Sequence, residues 1–255
     1  MLLEGHLSQW AVVPTRLPSL RNPPIGFAHR GARAHAPENT LEAFRLAVRL
    51  GATGLESDVW LTADGEAVLD HDGVVRQGLR RRPIAELRRS ELPGHIPTLE
   101  ELYAAVGTAL ELSLDVKDAA ACDRVIEVAQ ASGGGALERL WLCHPEIDQL
   151  ARWRAVDASV HLVDSTFLGS MPNGPERCAA ELAEAGIDAV NLHHTEWTGG
   201  LASLFHRFDV LCFGWDAQHD RVLDSLLDDG LDAVYSDHVD RMVDAMSRAA
   251  ADPVG

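Results

Sequence analysis

Between Ile25 and Asp72 the chain concentrates side chains that can move protons, grip anions and hold cations: His29 and Arg30, then Glu56 and Asp58, then His71 and Asp72. Asp115 and Lys117 add an acid and a base two residues apart. Free imidazole titrates near pH 6.5, so His29 and His71 can serve as general acid and base around neutrality; the plainer alternative is two hydrogen-bonded structural histidines. Glu56, Asp58 and Asp115 make an all-oxygen donor set, which suits Mg²⁺ or Ca²⁺ rather than Zn²⁺. The alternative is a salt-bridge cluster of these acids with Lys117 or Arg30. An arginine beside a cation site suits a phosphate, which it grips in a bidentate way, and Lys117 would bring a second positive charge to the same oxygens.

The elements that must position these residues follow from local pattern. Ile25-Gly-Phe-Ala reads as a buried strand that delivers His29 and Arg30. A helix follows, with Asn39 as N-cap, Glu42 three residues later, and apolar positions at Leu41, Phe44, Ala47, Val48 and Leu50. Gly51 stops it. A second strand carries Glu56 and Asp58, and an Asp64-Gly65 turn leads into Ala67-Val-Leu, which ends at Asp70, His71 and Asp72. Side chains two apart on a strand share a face, so Glu56 points with Asp58, and Asp115 with Lys117. Residues 73–97 hold Arg76, Arg80, Arg81, Arg82, Arg88 and Arg89, read either as a solvated loop with a short helix or as a basic rim for an anionic substrate. Thr98 and Glu101 form a capping box that opens the next helix.

Strand-like runs then recur at 110–116, 139–143, 159–163, 189–192, 210–213 and 233–235. Helix-like stretches near 119–132, 146–156, 175–186, 198–208 and 217–229 separate them. With the two earlier strands this predicts eight strand-then-helix units, hence an α/β fold with a parallel sheet closed as a (β/α)8 TIM barrel. The barrel is expected to be one domain over 23–255, preceded by an arm over 1–22 that prolines keep irregular. No G-x-G-x-x-G follows the first strand, which removes the dinucleotide-binding alternative. Barrel chemistry gathers at the C-terminal ends of strands. That placement adds His144, His193, His194, Trp215, Asp216, Asp237 and His238 to the residues worth weighing. Ser236-Asp237-His238 is set aside as a triad, because neighbours on a strand face opposite ways and no G-x-S-x-G elbow is present.

The chain has 255 residues, with 22 basic against 39 acidic side chains and a net charge of −17. That balance argues against nucleic acid or an anionic membrane as partner, while leaving room for a small phosphorylated substrate at a local positive site. Cys122, Cys143, Cys178 and Cys212 are widely spaced and read as free buried thiols of a reducing cytoplasm. Glu4 and His6 interrupt the first residues, no secretory signal is expected, and no apolar run approaches the ~20 residues that span a bilayer. The expectation is a soluble cytoplasmic protein.

Taken together, H-R-G at 29–31, P-E-N-T at 37–40, E-x-D at 56–58, T-x-D-G at 62–65, H-D at 71–72 and acid-x-Lys at 115–117 resemble the glycerophosphodiester phosphodiesterase family. Gly-Trp at 214–215 and Ser-Asp at 236–237 resemble that family's last two strand ends. The resemblance implies a TIM barrel that uses a divalent cation to hydrolyse glycerophosphodiesters to glycerol 3-phosphate and an alcohol. It implies His29 and His71 as the acid/base pair, Arg30 and Lys117 as phosphate ligands, and Glu56 and Asp58 as metal ligands, with Asp115 completing the cluster. It also implies Trp215 packing on the glycerol, and Glu38 and Asn39 supporting the loop after the first strand. The family's third-strand Glu is Asp115 here, shorter by one methylene, about 1.5 Å of reach. Rival readings are a lysophospholipase D-like or sphingomyelinase D-like enzyme of the same superfamily, and a barrel that binds a phosphodiester without turnover.

Overall fold

The computed structural model describes residues 16–251, apart from residue 79. In chain order it comprises β1 (Ile25–Ala28), α1 (Leu41–Leu50), β2 (Gly54–Leu61), β3 (Ala67–Leu69), β4 (Val74–Gln77), β5 (Arg80–Pro83) and α2 (Leu99–Val106). Then come β6 (Glu111–Val116), α3 (Ala121–Ser132), β7 (Leu140–His144), α4 (Ile147–Val156), β8 (His161–Ser165) and α5 (Pro175–Ala185). The last elements are β9 (Ala189–His193), α6 (Gly199–His206), β10 (Leu211–Trp215), α7 (Asp220–Asp228), β11 (Ala233–Ser236) and α8 (Val239–Ala251).

Parallel strands run in the order β1-β11-β10-β9-β8-β7-β6-β2, and β2 pairs back with β1, so the eight-stranded sheet closes into the expected barrel. Closure matters for the site: Ile25 to Ala28 of the first strand lie beside Ala233 to Ser236 of the last. Inside the barrel, alternate residues form a compact aromatic core that includes Phe27, Trp141, Phe213 and Tyr235. Gly54 is required there, because a Cβ at that position would lie 2.5 Å from the Phe27 ring. The outward-facing set, such as Leu55, Leu112, Leu114, Leu162 and Leu192, packs against the helices. Burying a Leu or Phe side chain of this kind contributes roughly 1.5–3 kcal/mol.

Residues 16–22 of the predicted arm pack on the N-terminal side of the barrel. Leu17 N–H donates to Asp228 O at 2.8 Å, and the Arg21 guanidinium meets Glu111 at 2.5 Å. Residues 1–15 of that arm lie outside the described residues.

Several local expectations need correction. The N-cap of α1 is Thr40, whose side chain accepts from Ala43 N–H; Asn39 is turned inward at φ +53° and serves the site instead. Gly51 does close the helix, at φ +95°. Residues 73–97 contain an antiparallel hairpin, β4 with β5, over a small core of Val68, Val75, Ile84, Leu87, Leu92 and Ile96. The eighth helix that eight strand-then-helix units require, to which the sequence reading gave no residues, is α8 after the last strand.

Candidate active site

The strand pleat decides which side chains reach the barrel mouth. Counting inward from Phe27 brings His29 just past the end of β1; counting from Gly54 brings Glu56 and Asp58 into β2's mouth; Ser113 leads to Asp115 on β6 and to Lys117 just past its end. These residues line one cavity of about 550 Å³ together with Arg30, Arg33, His71, Ser165, Phe167, Asn191, Trp215 and Asp216. That volume suits a small organic ligand. The structure thus gathers His29, His71, Arg30, Lys117, Glu56, Asp58, Asp115 and Trp215 around one space.

Glu38 and Asn39 sit behind that wall. Glu38 holds Arg30 at 3.2 Å and Arg33 at 2.5 Å. Asn39 is buried, accepts from Ser57 Oγ at 2.7 Å and donates to Asp58 Oδ2 at 3.4 Å. Its left-handed backbone, and that of Arg30 at φ +51°, are conformations that cost a non-glycine residue energy and recur at functional sites.

The two histidines are held alike. His29 Nδ1 lies 2.6 Å from Asp237 Oδ1, and His71 Nδ1 lies 2.9 Å from Asp72 Oδ1. An ionised carboxylate only accepts, so each Nδ1 carries a proton and Nε2 is the nitrogen left for chemistry. His29 Nε2 faces Glu56 at 3.8 Å. Burial alone depresses the His29 pKa; the Glu56 charge and the Asp237 hydrogen bond outweigh it and leave His29 above its usual 6.5. Burial pushes Glu56 up to about 7, with the Asp58 charge acting in the same direction. Only the Arg30 backbone N–H, at 2.8 Å, and nearby positive charge pull it back.

Lys117 stands between two acids, 3.2 Å from Asp58 and 2.5 Å from Asp115. Arg30 Nε is 3.3 Å from Asp58. In this state the cluster is therefore salt-bridged, the alternative the residue types left open. Glu56, Asp58 and Asp115 are not among the groups of described residues whose donor atoms converge within 4.8 Å. Three such groups exist elsewhere: His35, His238 and Asp240; His193, His194 and Asp216; and His206, Cys212 and Asp232. A divalent ion can thus be held by His/Asp donors of this chain. The carboxylate cluster also fits a hard cation, because Glu56 is 6% exposed, its charge is poorly compensated, and every donor is oxygen.

Sequence reading missed three contributors. Asp237 was set aside with its neighbours, yet barrel closure aims it at His29. Arg33 joins Asp237 to Glu38, at 3.2 Å and 2.5 Å. Asn191 lines the cavity at 6% exposure; it donates from Nδ2 to Ser165 Oγ at 3.2 Å, and its Oδ1 is buried without a hydrogen-bond partner. Its inward position on β9 was the available signal. The six arginines of 73–97 are absent from the cavity lining.

The family model described as "Glycerophosphoryl diester phosphodiesterase family" matches residues 29–241, from the first candidate histidine to α8. The chain belongs to this family. Among curated glycerophosphodiester phosphodiesterase relatives, the Mycobacterium tuberculosis protein named "Probable glycerophosphodiester phosphodiesterase 2" is 27% identical over 246 residues, covering 87% of this chain and 90% of that protein. Human "Glycerophosphodiester phosphodiesterase 1" is 40% identical over 108 residues, a match limited to 35% of this chain and 33% of that one. The crystal structure of the Thermotoga maritima glycerophosphodiester phosphodiesterase superposes with a TM-score of 0.74 at 23% identity, covering 86% of this chain and 97% of that one. An Oleispira antarctica phosphodiesterase, solved with the product sn-glycerol-3-phosphate, superposes with a TM-score of 0.76 at 22% identity over 88% and 97% of the two chains. Like its family, the chain is a hydrolase. No helix among the described residues is long and apolar enough to cross a membrane.

Proposed function

We propose that this cavity hydrolyses glycerophosphodiesters to sn-glycerol 3-phosphate and an alcohol, with a divalent cation, Mg²⁺ or Ca²⁺, held by Glu56, Asp58 and Asp115. The observation that carries the reading is a pair of histidines, each with Nδ1 pinned by a carboxylate, on the wall of a cavity that also holds acids and fixed positive charge. When bound, the cation supplies positive charge opposite the phosphoryl oxygens.

Arg30 and Lys117 bind the phosphodiester oxygens and stabilise the charge that builds on them during displacement. One histidine takes the proton from the attacking oxygen through Nε2. That oxygen is either water, which gives glycerol 3-phosphate directly, or the substrate's own neighbouring glycerol hydroxyl. The hydroxyl gives a cyclic phosphate that water then opens to glycerol 3-phosphate, with the two histidines in exchanged roles. As the phosphorus–oxygen bond to the alcohol breaks, the other histidine gives its Nε2 proton to the departing oxygen. Asp237 and Asp72 keep the imidazoles oriented, and Asp237 favours the charged form of His29. Glu38 and Asn39 keep Arg30 and Asp58 in place. Trp215 forms the apolar side against which the glycerol carbons pack.

An acyl-bearing substrate fits less well. Among the described residues the exposed large hydrophobics are Leu20, Val48, Val156 and Phe167, and of these Phe167 alone lines the cavity. Phe167 and Trp215 make a short aromatic edge at the mouth, with no exposed large apolar side chains among the described residues leading away from it to carry a lipid chain. Cytoplasmic residence belongs to the same reading, supported by four free, buried cysteines. The test is glycerol 3-phosphate release from glycerophosphocholine and glycerophosphoethanolamine, with and without chelator. Release that stops on chelation and returns with Mg²⁺ or Ca²⁺ supports the proposal; release that survives full chelation removes the cation from it.

A further inference from the structure

The three convergent donor groups differ in what their donor atoms already do. Asp232 is fully buried and spent: one oxygen takes His206 Nε2 at 2.8 Å and the Cys212 N–H at 2.7 Å, and the other takes the Arg21 N–H at 2.8 Å. The Cys212 side chain is buried there as well. That group is a structural tie at the N-terminal end of the barrel. His35 and His238 have ring centroids 6.1 Å apart, and Asp240 sits in the first turn of α8, where its charge also serves the helix terminus.

His193, His194 and Asp216 are arranged otherwise. β9 ends at His193 and β10 ends at Trp215, paired in register. Asp216 follows at φ +63°, a left-handed conformation unfavourable for a residue with a side chain. The turn brings its Oδ2 within 3.3 Å of His193 Nε2, while Oδ1 accepts from Gln218 Nε2 at 3.0 Å; both contacts are exposed, unlike those of Asp232. On the other side of that ring, Nδ1 lies 2.7 Å from Thr195 Oγ1 and accepts the Thr195 N–H at 3.3 Å. Ligation through Nε2 would move the ring proton to Nδ1, where Thr195 Oγ1 is placed to accept it, the outer contact that orients metal-bound imidazoles. The His194 ring centroid lies 4.4 Å from that of His193.

We propose that His193, His194 and Asp216 form a second metal site, on the rim of the cavity, for a borderline transition ion such as Zn²⁺. Two imidazoles and one carboxylate leave a fourth tetrahedral position to solvent. The donor chemistry separates this site from the all-oxygen cluster, which suits harder ions. The rim site also touches the cavity wall. Asp216 lines the cavity, and the His193 ring stands edge-on to Trp215 at 4.6 Å. Trp215 in turn meets Phe167 at 6.0 Å. An ion bound at the rim therefore fixes the aromatic side of the mouth.

The test is calorimetric titration of the full chain with Zn²⁺ in excess Mg²⁺, so that the hard-ion cluster is occupied. The wild type is expected to bind Zn²⁺ at a site that His194→Ala and Asp216→Asn each weaken by at least roughly 10-fold, on the scale of losses seen when metal-site groups are altered. His35→Ala is expected to leave that site unchanged. The proposal is overturned if His194→Ala binds Zn²⁺ as the wild type does, or if His35→Ala alone removes the site. The readout is heat of binding and needs no turnover, so failure of the phosphodiesterase reading would leave it intact, and the reverse. Thermal melts of the variants separate lost ligation from lost folding.

Discussion

Asp237, at the end of the last barrel strand, lies 2.6 Å from Nδ1 of His29, at the end of the first. The contact exists because the sheet closes, and it raises the proton affinity of the imidazole. Asp237→Asn removes the charge and keeps the shape. The His29 pKa then falls, so whichever limb of the pH–rate profile belongs to His29 moves to lower pH, with a smaller loss of kcat than His29→Ala. An unmoved profile would show that His29 is not the titrating group. If the acid limb moves, His29 is the base; if the alkaline limb moves, it is the acid.

Metal affinity should depend unequally on the three acids. Glu56 and Asp58 are nearly inaccessible, whereas Asp115 has a third of its side chain exposed to solvent. Glu56→Ala and Asp58→Ala should raise the Mg²⁺ or Ca²⁺ concentration for half-maximal activity more than Asp115→Ala does. Asp115→Glu, which adds about 1.5 Å of reach, should lower it. Activity titrations with each ion check the order.

Asp164 is 2% exposed, and burial raises its pKa to about 7. A carboxyl raised above its unfolded value of 3.8 binds more protons in the native state than in the unfolded one. Its contribution to stability is therefore full below pH ~4 and declines as pH rises towards 7. Asp164→Asn should raise Tm at pH 8 by the few degrees that about 1 kcal/mol produces in a domain of this size, with the gain shrinking towards pH 4. Melting curves at the two pH values check the sign.

Most of the barrel was legible because each strand is a short apolar run and each helix has its own punctuation, Gly51 and the Thr98–Glu101 box among them. The first-half motifs placed His29, Glu56, Asp58 and Asp115 on β1, β2 and β6 or just past their ends, where the structure has them. Contacts made only by closure were not legible: nothing local tells Asp237 that it will neighbour His29. The hairpin at Val74–Pro83 was hidden because its second strand, Arg-Arg-Arg-Pro, shows no apolar alternation. Asn39 looked like a helix cap by type, and its inward left-handed turn is set by the tertiary contacts with Ser57 and Asp58. The salt-bridged state of the acids was among the alternatives, but residue types could not rank it.

The most direct test of the whole account follows glycerophosphocholine by phosphorus NMR in the presence of Mg²⁺. The account predicts conversion to sn-glycerol 3-phosphate by the wild type, and rates lower by roughly 10²–10⁴-fold for His29→Ala and for His71→Ala. Conversion by both variants at close to the wild-type rate would contradict it.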